Sequence, residues 1–190
     1  MHHSEVRARE LLKRLDVANP VGAEIGVWRG EMSAHLLKRP DLHLFMVDNW
    51  LSAAMQPRTY ADSGDVKATM TTTLMGEAKL AAEHAVAFAG ARACILHASS
   101  RETARVMDNA ALDFVFIDAE HTYEALSADI AAWLPKLKPG GLLCGHDYSK
   151  PGERSALGWP GVVRAVDEFV ERVGLRLDRG EQATWFVRLT

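Results

Sequence analysis

Apolar residues recur along this chain in two rhythms that take turns. Short, nearly continuous runs rich in Val, Ile, Leu and Phe have the character of buried strands, and between them the apolar positions fall three and four apart, as on one face of a helix. "SEVRARELLKRL" spaces Val6, Leu11, Leu12 and Leu15 helically, with Ser4 available as an N-cap, and "VGAEIGV" follows as a first strand. "EMSAHLLKR" is helical and stops at Pro40, whose ring removes a donor and restrains the preceding residue; "HLFMVDNW" is the second strand. Further on, "EAKLAAEHAVAF" predicts a helix, "RACILHA" a third strand, "SRETARVMD" a short helix and "LDFVFIDA" a fourth strand. "TYEALSADIAAWLPKL" lines up Tyr123, Leu126, Ile130, Trp133, Leu134 and Leu137 on one stripe; "PGGLLCGHDY" reads as a turn and a fifth strand, and "GVVRAVDEFVERVG" as another helix. The closing "LRLDRGEQATWFVRL" reads as a hairpin turning near Asp178 to Gly180.

Strands separated by helices imply parallel βαβ units and hence an α/β, doubly wound, Rossmann-like sheet, mostly parallel, with the C-terminal hairpin adding antiparallel pairing at one edge. No internal repeat or linker interrupts the alternation, so residues 1–190 are expected to form a single domain, with 1–19 as an N-terminal helical segment. Two stretches carry no periodicity, 51–69 and 149–160. Loops of that length in a compact domain are usually lids, binding loops or disordered segments.

Composition narrows the function. With 190 residues, 48% of them hydrophobic, the chain can build one sizeable core, and a net charge of −3 argues against a nucleic-acid binder that relies on a broadly basic surface. Cys94 and Cys144 both sit inside apolar runs and read as reduced, buried residues. No apolar run approaches the roughly 20 residues of a membrane span, and the opening residues do not resemble a signal peptide. A cytoplasmic location is the resulting expectation. His2 and His3 are given no role.

The chemistry should lie outside the carboxyl ends of the strands, where doubly wound folds bind ligands. Those ends read "EIGVWRGE", "VDNW", "HASS", "IDAEHTY" and "GHDY", and four of the five carry acids. Gly26 and Gly30 would let the backbone turn sharply and approach a ligand, or simply form a tight strand–helix turn. The loop lacks the third glycine of G-x-G-x-x-G, and Glu24 beside it suits a cationic or hydroxyl-bearing ligand better than a phosphate. Asp48, about 20 residues further on, is where an acid accepts hydrogen bonds from ribose, although such an acid can equally cap a turn.

Taken together, "EIGVWRG", "VDNW", "FIDAEHTYEALSADIAAWLPKLKPGGLLCGHDY" and the closing hairpin resemble a class I S-adenosylmethionine (SAM)-dependent methyltransferase. More narrowly they are similar to its small single-domain branch known as methyltransferase domain 24, from about residue 20 to the C-terminus. The resemblance implies a seven-stranded sheet whose last two strands form the hairpin. It also implies SAM as cofactor, with Glu24, Gly26 and Gly30 around its methionine end and Asp48 on its ribose. Val27 and Trp28 in the loop, Asn49 beside Asp48, and Asp118 join this cofactor-binding set, and Ser99 and Ser100 fall near the adenine.

Asp118 and Asp147 end adjacent strands, so their carboxylates and His146 are candidates to hold Mg²⁺ or another divalent cation, which would orient an acceptor and lower the pKa of its hydroxyl. Similarity to metal-dependent sugar and catechol O-methyltransferases implies the same: Asp118, His146 and Asp147 as ligands, and His121 of the D-x-x-H segment as general base. The bland alternatives are that Asp118 binds backbone amides and that His121 caps a helix or pairs with Glu120. His97 reads as a strand-end residue, His35, His43 and His84 as ordinary helix or loop residues; Tyr148 and Trp159 either line an acceptor pocket or pack. The expected reaction is methyl transfer from SAM to a hydroxyl of a small molecule. The expected partner is that acceptor, with no nucleic acid, no membrane and a homodimer left open. Two rivals stand beside it: a non-catalytic SAM-binding subunit, and a 2-His-1-carboxylate iron oxygenase built on His121 and His146.

Overall fold

A computed structural model of the protein describes residues 3–150 and 159–190. The five runs of β-branched and aromatic residues form β1 (Val21–Ile25), β2 (His43–Asp48), β3 (Ala93–His97), β4 (Leu112–Ile117) and β5 (Leu137–Gly145), and the C-terminal segment adds β6 (Leu177–Arg179) and β7 (Trp185–Arg188). They make one sheet in the order β3-β2-β1-β4-β5-β7-β6. The first five strands are mutually parallel, and β7 runs antiparallel to both β5 and β6. The seven-stranded, mostly parallel sheet with an antiparallel C-terminal hairpin is therefore as expected.

Helices cover both faces. α1 (His3–Leu12), α2 (Glu31–Leu36) and α4 (Thr72–Val86) pack Ala8, Leu11, Met32, Leu36, Met75, Ala78 and Ala82 onto one face, against Phe114 and Phe116. α5 (Ser100–Val106), α6 (Tyr123–Trp133) and α7 (Pro160–Val173) cover the other with Ala104, Leu126, Ile130, Trp133, Val166 and Phe169, against Val115 and Ile117. The alternation Phe114, Val115, Phe116, Ile117 thus feeds two cores at once, which is why β4 reads as a continuous apolar run. Each fully buried side chain of this size contributes on the order of 1.5–3 kcal/mol, so the central strands are held firmly in place.

Three local features differ from the sequence reading. Ser4 lies inside α1, and its Oγ donates to Glu31 Oε2 at 3.1 Å instead of capping the helix. "PGG" is no separate turn: Leu112 pairs with Leu137 and Phe114 with Leu142, so Pro139 to Gly141 bulge out within β5. The hairpin turns later than Asp178–Gly180, because Arg179 still pairs with Trp185 and the chain reverses over Gly180 to Thr184. The unpatterned 51–69 segment contains one short α-helix, α3 (Arg58–Ala61), between two 3₁₀ turns. Most of the 149–160 segment lies outside the described residues.

The order β3-β2-β1-β4 places a topological switch point between β1 and β4. Ile25 and Ile117 pair there, and the amide of Asp118 donates to the carbonyl of Ile25 at 2.8 Å. The crevice where such sheets bind ligands opens directly beyond these two residues.

Candidate active site

The loop after β1 is shaped by contacts within the protein. Gly26 has φ +88°, and a Cβ there would lie 2.1 Å from the carbonyl oxygen of Asp118. Gly30, at φ +73° before α2, would place a Cβ 2.9 Å from Ala82 Cα. Glycine is needed at 26 because the backbone of β4's end passes against it. Gly26→Ala is expected to cost about 2–3 kcal/mol of stability from the φ and the backbone collision. A urea midpoint equal to the parent's would refute this. The substitution therefore reports on folding before it reports on ligand binding.

Asp48 performs a related task. Its Oδ2 accepts from the amides of Val27 and Trp28 at 2.9 Å each, and its Oδ1 from the amide of Trp50 at 2.8 Å. The turn-capping alternative is thus realised, with the carboxylate holding the β1 loop to the end of β2. Trp28, Trp50 and Asp147 all have positive φ, at 54°, 40° and 62°. Three bulky or charged residues in the left-handed region at three strand ends mark a place where backbone strain is tolerated. Asn49 caps its own turn through the amide of Leu51 and accepts from His97 Nε2 through its carbonyl at 2.8 Å. Ser99 caps α5, while Ser100 Oγ donates to Asp129 Oδ1 at 2.6 Å and accepts from Trp133 Nε1 at 2.9 Å. Both serine hydroxyls are already engaged in tying α5 in place.

Glu24, on β1, is buried, and Ser33 Oγ donates to its Oε2 at 2.5 Å. Burial pushes its pKa up to about 8, with the neighbouring Asp118 carboxylate adding to the rise. A carboxyl held neutral into the physiological range thus stands one residue before the end of β1.

Beyond the ends of β4 and β5 the ionisable groups crowd together. His121 Nδ1 lies 3.0 Å from Asp65 Oδ2, while its Nε2 lies 2.8 Å from Asp147 Oδ2 and 3.8 Å from Asp118 Oδ1. None of these contacts is aligned well enough to be a hydrogen bond, although both ring nitrogens are buried. The ring stacks on Trp159, with centroids 4.9 Å apart and planes 14° from parallel. His146 Nδ1 lies 3.0 Å from Asp147 Oδ1 and 3.6 Å from Asp118 Oδ1. Arg7 reaches in from α1, its Nη1 donating to Asp118 Oδ2 at 2.5 Å.

The charges decide the protonation. Burial alone would lower the pKa of His121, but Asp118, Asp147 and Asp65 outweigh it and raise it to about 11. His146 rises to about 9 by the same contest, with Asp118 and Asp147 winning over burial. Burial would raise the pKa of Asp118, yet the charges of His146 and Arg7 hold it well below the usual carboxylate range. Three carboxylates, at 65, 118 and 147, thus face three cationic groups, at 7, 121 and 146. In this setting His121 keeps its proton at neutral pH.

Among the described residues, ligand atoms of Asp118, His121 and Asp147 come within 4.8 Å of one another. Two carboxylate oxygens and an imidazole nitrogen suit a hard divalent cation. The trio differs from the expected ligand set in holding His121 where His146 was named. Neither bland reading of His121 is found, since Thr122 caps α6 and Glu120 accepts from Thr122 Oγ1. Tyr148 packs, its hydroxyl donating to Asp167 Oδ1 at 2.5 Å. The sequence reading missed Asp65 and Arg7. Both stand in stretches where nothing in the spacing marks one charged residue above its neighbours.

Residues 23–148 match the profile of a family described as a methyltransferase domain. No curated protein matches the chain in sequence. Among solved structures, the calicheamicin methyltransferase CalS11 is 16% identical with a TM-score of 0.67, over 97% of this chain and 77% of that one. A candidate caffeoyl-CoA O-methyltransferase from Staphylococcus aureus is 14% identical with a TM-score of 0.65, over 98% and 82%. The O-methyltransferase TomG from Streptomyces achromogenes, involved in tomaymycin synthesis and solved in complex with SAM, is 18% identical with a TM-score of 0.59, over 98% and 79%. At these identities the structures speak for a shared fold.

Proposed function

The chain belongs to the methyltransferase-domain family matched by residues 23–148 and is a class I SAM-dependent methyltransferase; we propose that it acts, as one domain, on a hydroxyl of a small molecule. The observation that carries the choice of a hydroxyl is His121, enclosed by carboxylates beside the switch-point crevice and stacked on Trp159. Transfer from a sulfonium to a hydroxyl needs the acceptor aligned in line and its proton removed, and little else. Three structural neighbours, one named a calicheamicin methyltransferase and two named O-methyltransferases, lend support. The family match sets the iron-oxygenase reading aside. No described helix is long and apolar enough to cross a membrane, and a cytoplasmic site of action is part of the proposal.

In this reading SAM lies across the ends of β1 and β2, its methionyl end at Glu24, Gly26 and Asp118 and its ribose toward Asp48. Asp48 also fixes the loop backbone at Val27 and Trp28, so Asp48→Ala would disturb the loop as well as the ribose contact. Asp118 and Asp147 are the proposed oxygen ligands of a divalent cation, with His146 beside them. Such a cation would orient the acceptor and lower its hydroxyl pKa. His121 takes the acceptor's proton after its own has left to solvent, a loss made easier once the negative charge that holds it is engaged elsewhere, and Trp159 keeps its ring in plane.

The first test is calorimetry with SAM and its demethylated product, followed by an acceptor screen with and without Mg²⁺. Methyl transfer by the purified chain to a small-molecule hydroxyl supports the reading. SAM binding without transfer to any acceptor turns it toward the non-catalytic alternative. Excess chelator is expected to abolish turnover, and Mg²⁺ or Mn²⁺ to restore it. Because His121 and His146 hold protons beside the same carboxylates, Mn²⁺ affinity should rise between pH 6 and 9. Full turnover in excess chelator, with no metal found by elemental analysis, removes the cation from the proposal.

A further inference from the structure

We infer that Arg7, reaching the switch-point crevice from the N-terminal helix, recognises the methionyl α-carboxylate of SAM. The inference deepens the proposed placement of the methionyl end at Glu24 and Asp118 and rests on it. That end of SAM carries an ammonium and a carboxylate. Glu24 and Asp118 supply acids for the ammonium, and Arg7 is a cation whose charge acts on both. Its Nη1 is held by Asp118 Oδ2 at 2.5 Å and its Nη2 by Ser4 Oγ at 3.3 Å, and Ser4 Oγ donates in turn to Glu31 Oε2 at 3.1 Å.

This leaves donors over. A guanidinium has five N–H groups, and the Nε of Arg7 is buried with no hydrogen-bond partner among the described residues. An unmet buried donor is costly, and since this Nε is itself shielded, a group that arrives with the ligand would meet the exposed N–H groups of the same fork. A planar fork matches a carboxylate in two parallel hydrogen bonds, a geometry that a lysine cannot offer. The side chain is 15% exposed, so it is enclosed yet not sealed off. Its charge is felt by Glu24, whose pKa it lowers against the larger effect of burial. The N-terminal segment that carries it is fastened at several points, by Ser4 to Glu31 and Arg9 to Glu181 from α1 and by Arg14 to Asp178 just after it, so the guanidinium is delivered by a fixed support.

Calorimetry on the full chain tests this with two probes, S-adenosylhomocysteine and 5′-methylthioadenosine, which keeps the nucleoside but lacks the amino-acid group. Arg7→Ala should weaken S-adenosylhomocysteine at least about 10-fold, the scale of a charged hydrogen bond, and leave 5′-methylthioadenosine within about 2-fold. Arg7→Lys should recover only part of the loss. Unchanged S-adenosylhomocysteine binding in Arg7→Ala overturns the inference, and so does an equal loss for both probes, which would make Arg7 a support of the fold. Glu24→Gln separates the two layers. If it weakens S-adenosylhomocysteine alone while Arg7→Ala does nothing, the methionyl placement stands and Arg7 falls. If neither variant moves S-adenosylhomocysteine, both fall.

Discussion

Replacing His121 with alanine is expected to lower kcat by at least about 10²-fold, the lower figure for general-base help, while SAM affinity stays close to the parent's. The ring lies 3.0 Å from Asp65 and 2.8 Å from Asp147, and 3.8 Å from Asp118, the member of the proposed SAM site that it approaches. The pH dependence carries the diagnosis. With its pKa raised to about 11, His121 is protonated at neutral pH and cannot accept a proton as it stands. A base must be deprotonated, so parental kcat should climb with pH across the neutral range and beyond. Engaging the Asp118 and Asp147 carboxylates with Mg²⁺ weakens their hold on the ring proton and should move that climb to lower pH. His121→Ala should flatten the climb. Measured with the best acceptor from the screen, near-parental kcat in His121→Ala would reduce His121 to a bridge between the 51–69 segment and the strand ends.

How far the sequence could be read depends on how far apart the interacting residues lie. The strands were legible because β1, β2, β4 and β5 are buried between two layers of helices and therefore read as unbroken apolar runs. The acids at their ends were legible because a carboxylate directly after such a run is costly without a purpose. What spacing does not encode is which distant side chain meets that carboxylate. Asp65 approaches His121 from a segment without periodicity, and Arg7 approaches Asp118 from an amphipathic helix where a charged residue is unremarkable. The protonation of His121 was unreadable for the same reason, since its sign depends on Asp65 and on the approach of Asp147. The late hairpin turn had a local cause. Gln182 and Ala183 adopt φ of 57° and 54°, which neither residue advertises, while Asp178 to Gly180 carries the usual turn signals.

Glu24→Gln is expected to remove a large pH dependence of stability. In the unfolded chain Glu24 ionises near its ordinary value of 4.5, whereas in the fold it holds its proton up to about 8. Between those values the folded state binds the extra proton, so stability falls as pH rises through the window and levels off above it. A shift of this size corresponds to an upper figure on the order of 4–5 kcal/mol, from about 1.36 kcal/mol per pKa unit. Asp129, raised to about 6 mainly by burial, and His121 titrate in overlapping windows with the same sign. Both are present in parent and variant, so the difference between the two proteins isolates Glu24. Urea unfolding from pH 4.5 to 8.5 should show the variant gaining on the parent steadily, and a difference that stays flat would sink the assignment. The same experiment bears on function. A fold that keeps a buried acid at a cost near neutral pH loses little if a cationic ligand repays it, and the ammonium of SAM is the cation proposed to sit there. Saturating S-adenosylhomocysteine, which carries the same ammonium, should therefore stabilise the parent more than Glu24→Gln, with the gap widest above pH 8.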